Sequence, residues 1–245
     1  MCSRLDQNNE VVTALLRFSA KAKASNKSLL PRIKFNIGIG QPAFILRHAD
    51  EQPILEESIF GFVPGWAKEV KKLYFNARTE GDYNPDNTRG YTGQMGIFDK
   101  PAFREAIAQH RCIVPISAFY EGPEKEKLKN PFRLVSPSHP VLFLAGIYSL
   151  HLDPSSKQIL SRFAVLTTPA NEATMSIGHH RCPLMLADTK LEEWLNPKTS
   201  TESLLLHLQT PWQPNDMRTF AIDPQAIKNT YSDTAPAERH ELLLF

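Results

Sequence analysis

Seven short runs of strand-forming residues, each stopped by proline, glycine, asparagine or aspartate, constrain this chain more than any other feature. "RIKFNIG", "AFILR", "SIFGFVPGW", "RCIVPISAFYEG", "PFRLV", "VLFLAGIYSL" and "FAVLTT" follow one another between residues 32 and 168. Short β-rich segments between breakers read as strands and turns. The 19 prolines against 11 glycines add stiff turns and argue against a helical bundle. Helices are predicted around this β-rich middle. Residues 9–22 put Val11, Val12, Leu15, Leu16 and Phe18 at helical spacing. Others are predicted near "PANEATMSIG", at "DTKLEEWLN" and, more weakly, at "TESLLLHLQ". In "DTKLEEWLN", Asp188 is the expected cap, with Leu191, Trp194 and Leu195 facing inward. The polar, breaker-rich stretch 81–99, "GDYNPDNTRGYTGQMGIFD", reads as a long loop. With no repeat and no linker, the expectation is one α+β domain over residues 1–245.

Composition bounds the function classes. Apolar content of 42% and charged content of 22% are ordinary for a globular chain of 245 residues. "VVTALL" is broken at once by Arg17, so no secretory signal is read, and the longest apolar run is about half a bilayer span. A soluble, cytoplasmic protein without membrane contact is expected. Cys2, Cys112 and Cys182 are widely spaced and give no disulfide framework. The formal charge of +2 neither demands nor excludes nucleic acid.

Five places could carry chemistry. Cys2 follows Met1 directly, and loss of Met1 would put a free amine and a thiol on neighbouring carbons, a group that traps aldehydes as thiazolidines. "YFNARTE" sets Asn76 and Arg78 on one face if extended. Glu121 closes an apolar run, and "HHRCPLML" places His179, His180 and Arg181 before a proline. Trp66, Tyr74 and Phe75 alternate with Lys68, Lys71, Lys72 and Arg78, a composition that suits base stacking beside phosphate neutralisation and equally suits surface lysines over a core. Cys112, Cys182, His179 and His180 lack zinc-ligand spacing, so no metal and no cofactor is assigned.

Taken in order, "MC-R", "PGW", "NARTE", "RCIVP…FYEG", "LAGIYS", "LTTPAN" and "H-x-R-x-P-L-M-L" resemble the SRAP domain (SOS response-associated peptidase family) from Met1 to about Trp194. The resemblance implies an α+β fold with a mixed, largely antiparallel, barrel-like core, and a monomeric DNA-repair protein that crosslinks itself to abasic sites in single-stranded DNA. It implies Cys2 as nucleophile after loss of Met1, with Asn76, Glu121 and His179 as catalytic partners. It also implies Arg4, Trp66, Arg78 and Arg181 as DNA-binding residues. The chain departs from the family pattern at Ser3, Phe60, Ala67 and Gly122, 81–99 reads as an insertion, and the match fades over 200–245. Two other readings share these residues: an N-terminal-nucleophile peptidase with autoproteolytic loss of Met1, and a non-covalent single-strand-binding module.

Overall fold

The breaker-bounded runs become strands, and five of them close into a ring. In the computed structural model, which describes residues 2–21, 31–49, 52–67, 70, 72–153, 157–228 and 234–238, the ring is built from β3 (Pro42–Ala49), β4 (Gln52–Phe60), β6 (Arg111–Ile116), β9 (Leu142–Leu152) and β10 (Ile159–Pro169). β10 pairs with β9 on one side and with β4 on the other, which leaves the ring no free edge of its own. The β10–β4 pairing is parallel; the remaining pairs in the ring are antiparallel. Three short strands extend it: β5 (Asn76–Arg78) runs parallel to the last part of β10, while β11 (Arg181–Pro183) and β12 (Met185–Leu186) pair with β10 and β9.

Alternation along the ring strands sorts side chains into two cores. Ile113, Ala145, Ile147, Ala164 and Leu166 face one cluster. There they meet α1 (Asn9–Lys21), α2 (Arg104–Gln109), α4 (Leu191–Leu195) and α5 (Thr201–Gln209) through Val11, Leu15, Ala106, Ile107, Trp194 and Leu204. Helices lie outside a five-stranded ring, so the other set, including Cys112, Val114, Leu144, Phe163 and Val165, points inward. Phe60 and Phe163 stack there at 4.9 Å.

A second sheet, in the order β13-β8-β7-β1-β2, covers this inner core. Its strands are β1 (Arg4–Gln7), β2 (Lys34–Gly38), β7 (Ala118–Glu121), β8 (Phe132–Val135) and β13 (Arg218–Ala221). Leu5, Ile37, Phe119 and Leu134 join the inner core together with Cys2. On the sheet's reverse face Tyr120 packs with Ile222 and Ile227.

The helix expected over 9–22 runs from Asn9 to Lys21, with Val11 and Leu15 buried and Leu16 exposed; residue 22 lies outside the described residues. The helix at "PANEATMSIG" is α3 (Glu172–Ser176), opened by an Asn171–Thr174 capping box. Asp188 does not cap α4. It opens a 3₁₀ turn over Asp188–Lys190 whose N-cap is Ala187, because the chain tightens one turn before the α-helix begins. Stretch 81–99 is a loop ending in a 3₁₀ turn at Gly96–Phe98.

Candidate active site at the amino terminus

The site forms where β1, β5, β7 and β11 end close together. β1 pairs with β7 as Arg4↔Tyr120 and Leu5↔Phe119. Carrying that antiparallel register one residue further sets Ser3 beside Glu121. β5 and β11 flank β10 from opposite sides, at Val165↔Asn76 and Thr168↔Cys182. Three segments far apart in sequence thus meet around Cys2.

Cys2 is fully buried, and Asn76 Nδ2 donates to its carbonyl oxygen at 2.9 Å. Asn76 Oδ1 is buried with no hydrogen-bond partner among the described residues, which leaves an acceptor beside the residue it holds. Burial pushes the Cys2 thiol well above its ordinary pKa, and the negative charge of Glu121 pushes the same way. The sulfur is therefore held as a thiol.

Glu121 and His179 form the titratable centre. Glu121 is 3% exposed, and desolvation raises its carboxyl to about 7. His179 is 6% exposed, and desolvation lowers its ring to about 4. Near neutrality the imidazole is uncharged while the carboxyl is poised between its two forms. His179 Nδ1 lies 2.8 Å from the Gly122 carbonyl, which only accepts, so Nδ1 carries the hydrogen. The bare Nε2 then faces Glu121 Oε2 at 3.3 Å. A proton on Glu121 has a hydrogen-bond acceptor facing it.

Gly122 makes this bend possible. A Cβ there would lie 1.7 Å from the Lys127 carbonyl oxygen, so the segment after β7 folds back against bare backbone. The space a larger family residue would occupy is filled by Lys127 and Asn130 main chain.

Of the four residues expected on DNA, two face outward. Trp66 is 64% exposed, its indole N–H donating to the Pro101 carbonyl at 3.2 Å. Arg78 is about one-third exposed; it lies 3.8 Å from Glu80 and donates to the Asn84 carbonyl. The other two engage partners within the protein, Arg181 through both terminal nitrogens and Arg4 through one terminal nitrogen at a partly exposed position. Arg181 is 2% exposed and grips both Glu80 oxygens at 2.9 Å. Its remaining terminal hydrogens go to Asn87 Oδ1 and the Thr167 carbonyl, so none of the four is left for a phosphate. Arg4 shares a face with its partner Tyr120, opposite to Glu121, and donates to Asn36 Oδ1 at 2.7 Å.

Sequence reasoning missed Glu80 and Asn87. The only sequence signal was Glu80's place at the end of "NARTE". His180, by contrast, is half-buried, its Nδ1 3.3 Å from the exposed Glu124.

A family model described as SOS response associated peptidase (SRAP) matches residues 1–229. The chain belongs to the SRAP family. It is 31% identical over 186 residues to the abasic site processing protein YoaM of Bacillus subtilis, covering 74% of each chain. It is 24% identical to the abasic site processing protein YedK of Escherichia coli, over 68% of this chain and 66% of that one. A crystal structure of a Bacteroides thetaiotaomicron protein matches this SRAP chain with a TM-score of 0.63 at 26% identity, covering 78% of both. Among the described residues no helix is long and apolar enough to cross a membrane.

Proposed function

We propose that this SRAP protein captures abasic sites in single-stranded DNA as a covalent thiazolidine on Cys2, after Met1 has been removed. The observation that carries the reading is the Glu121–His179 proton pair beside a buried second-residue cysteine whose main chain Asn76 holds. An abasic sugar reacts as its open-chain aldehyde. The Cys2 α-amine attacks that carbon, water leaves and an iminium forms. The Cys2 sulfur then adds to the iminium carbon and its proton passes to a base. Two new bonds to one carbon close the five-membered ring, with one water released in all.

A thiol with a raised pKa suits this order: it stays protonated while the amine acts, and gives up its proton only when the cationic iminium is beside it. Glu121, poised near 7, moves protons in both directions, first in opening the sugar ring and later in accepting the thiol proton. His179 Nε2 accepts a hydrogen bond from the protonated carboxyl and holds it in place for transfer. Arg78 meets a flanking phosphate, and Trp66 stacks on an exposed base. The peptidase in the family's description fits hydrolysis of the single Met1–Cys2 bond.

Intact-mass analysis after incubation with an abasic single-stranded oligonucleotide tests the reading. The expected adduct is protein lacking Met1 plus oligonucleotide minus one water, absent for Cys2→Ala and retained for Cys112→Ala. An adduct formed by protein that keeps Met1 would overturn it, since an amide nitrogen forms no imine.

A further inference from the structure

The second sheet buries a carboxylate that the chemistry above does not use. Asp6, in the middle of β1, is fully buried. Its Oδ1 accepts the Asn36 backbone N–H at 2.8 Å. Its Oδ2 accepts the Tyr120 hydroxyl at 2.8 Å and Arg133 Nε at 3.0 Å. One side chain on β1 therefore ties β2, β7 and β8 together. The ladder needs this. The β1–β2 register shifts between Leu5 and Gln7, and Asn36 sits there at φ 55°, in the left-handed region. Asp6 takes the N–H that the irregularity frees, and Arg4 takes the Asn36 side chain.

We infer that Asp6, Tyr120 and Arg133 are positioning residues that lock the β1–β7 register and so hold the Cys2 amine against Glu121; this inference rests on the proposed function. β1 has four residues and starts two positions after Cys2, and chain ends of that kind fray unless tied down. A one-residue slip of β1 would turn Leu5 out of the inner core and carry Cys2 and Ser3 out of register with Glu121. The clamp prevents this from the reverse face, where Asp6, Tyr120 and Arg133 lie, without touching the reacting atoms. An apolar trio would fill the same volume without the desolvation penalty of a buried ion pair, so register is what the polar network supplies. Tyr120 and Glu121 are neighbours on β7, which makes the link from clamp to catalytic carboxyl one residue long.

Single-turnover crosslinking to an abasic single-stranded oligonucleotide tests the clamp in full-length Asp6→Asn and Tyr120→Phe. It is read beside binding to an intact oligonucleotide, thermal melting, and an NMR pH titration of the His179 ring. Glu121 is faced by His179, Cys2 and Cys182, with His180 and Arg181 behind His179; none of these changes in either variant. Asp6→Asn removes the charge and turns an amide N–H toward either Arg133 or the Asn36 backbone N–H, both of which only donate. It should slow crosslinking at least tenfold, leave intact-strand affinity within twofold, and displace the His179 titration. Tyr120→Phe should slow it several-fold.

A folded Asp6→Asn with the parent's rate and titration would overturn the clamp. So would rate and affinity falling together, which is the mark of a general structural role. If Asp6→Asn does not fold, Tyr120→Phe decides by the same criteria. A parent protein that forms no crosslink would defeat the proposed function instead, and the His179 titration of the variants would still decide the clamp.

Discussion

Glu121 and His179 pull stability in opposite directions with pH. Glu121 is raised from 4.5 to about 7, so its contribution is full below 4.5 and is lost as pH climbs through 7. His179 is lowered from 6.5 to about 4, so its contribution is present above 6.5 and is lost as pH falls through 4. Between those limits the two slopes offset each other. Glu121→Gln removes one of them, and its melting temperature should rise relative to the parent's as pH increases from 4 to 6.5. A variant that tracks the parent across that range would show that burial of Glu121 is not what sets its proton affinity. The same geometry separates the two adjacent histidines. His179→Ala should slow crosslinking and its reversal by about 10²- to 10³-fold, within the span of general acid–base effects. His180→Ala should change either rate only a few-fold, because its partner is the exposed Glu124. The large defect appearing in His180→Ala would mean that the proton relay runs through the other ring.

At the scale of elements, Arg181 and Glu80 fasten the 81–99 segment to the strands. Arg181 reaches from β11 to Glu80 at the start of the loop and to Asn87 within it. Asn84 adds a turn of its own, accepting from the Thr88 N–H and donating to the Thr88 carbonyl. Arg181→Ala would leave the Glu80 carboxylate buried without its partner, a loss of about 3–5 kcal/mol of unfolding free energy by chemical denaturation. Arg78→Ala, at a partly exposed position, should cost under about 1 kcal/mol. Equal destabilisation by the two would mean that the Glu80–Arg181 pair is not holding the loop. The motif around Arg181 was legible, but its role was not. Sequence spacing shows that an arginine follows His179 by two; it cannot show that a glutamate 101 positions earlier fills the guanidinium. β1 escaped notice for a related reason: "RLDQ" places a charged residue at its centre, and only the partners from three other strands make an aspartate tolerable there.

Across the whole molecule, local signals announced the strands, and closure came from long-range pairing that no local signal carries. The runs at "AFILR" and "FAVLTT" lie within β3 and β10, and "VLFLAGIYSL" falls on β9 from its second residue, since turn residues end them. β10 pairs with its neighbour β9 locally, but its pairing with β4, which closes the ring, joins residues about 100 positions apart. Such folding leaves a positive footprint smaller than the arginine list suggests. The chain has 28 lysines and arginines against 26 aspartates and glutamates, so binding must come from local placement and not from bulk charge. Arg181 is held internally, Arg4 is partly exposed with Nη1 on Asn36, and Arg78 and Trp66 face solvent. Each phosphate neutralised on a single strand contributes a slope of about −0.7 in log K against log salt. Arg78→Ala should therefore flatten the slope by about 0.7, with the affinity loss largest at low salt. Trp66→Ala should weaken binding by about 1–3 kcal/mol at every salt concentration and leave the slope unchanged, because stacking releases no counterions. Arg181→Ala, measured below its melting temperature, should also leave the slope unchanged. These slopes are read from titrations of a fluorescent intact oligonucleotide between 50 and 300 mM salt. A slope flattened by Arg181→Ala and untouched by Arg78→Ala would return the phosphate contact to the buried arginine, and would mean that Glu80 releases it when DNA binds.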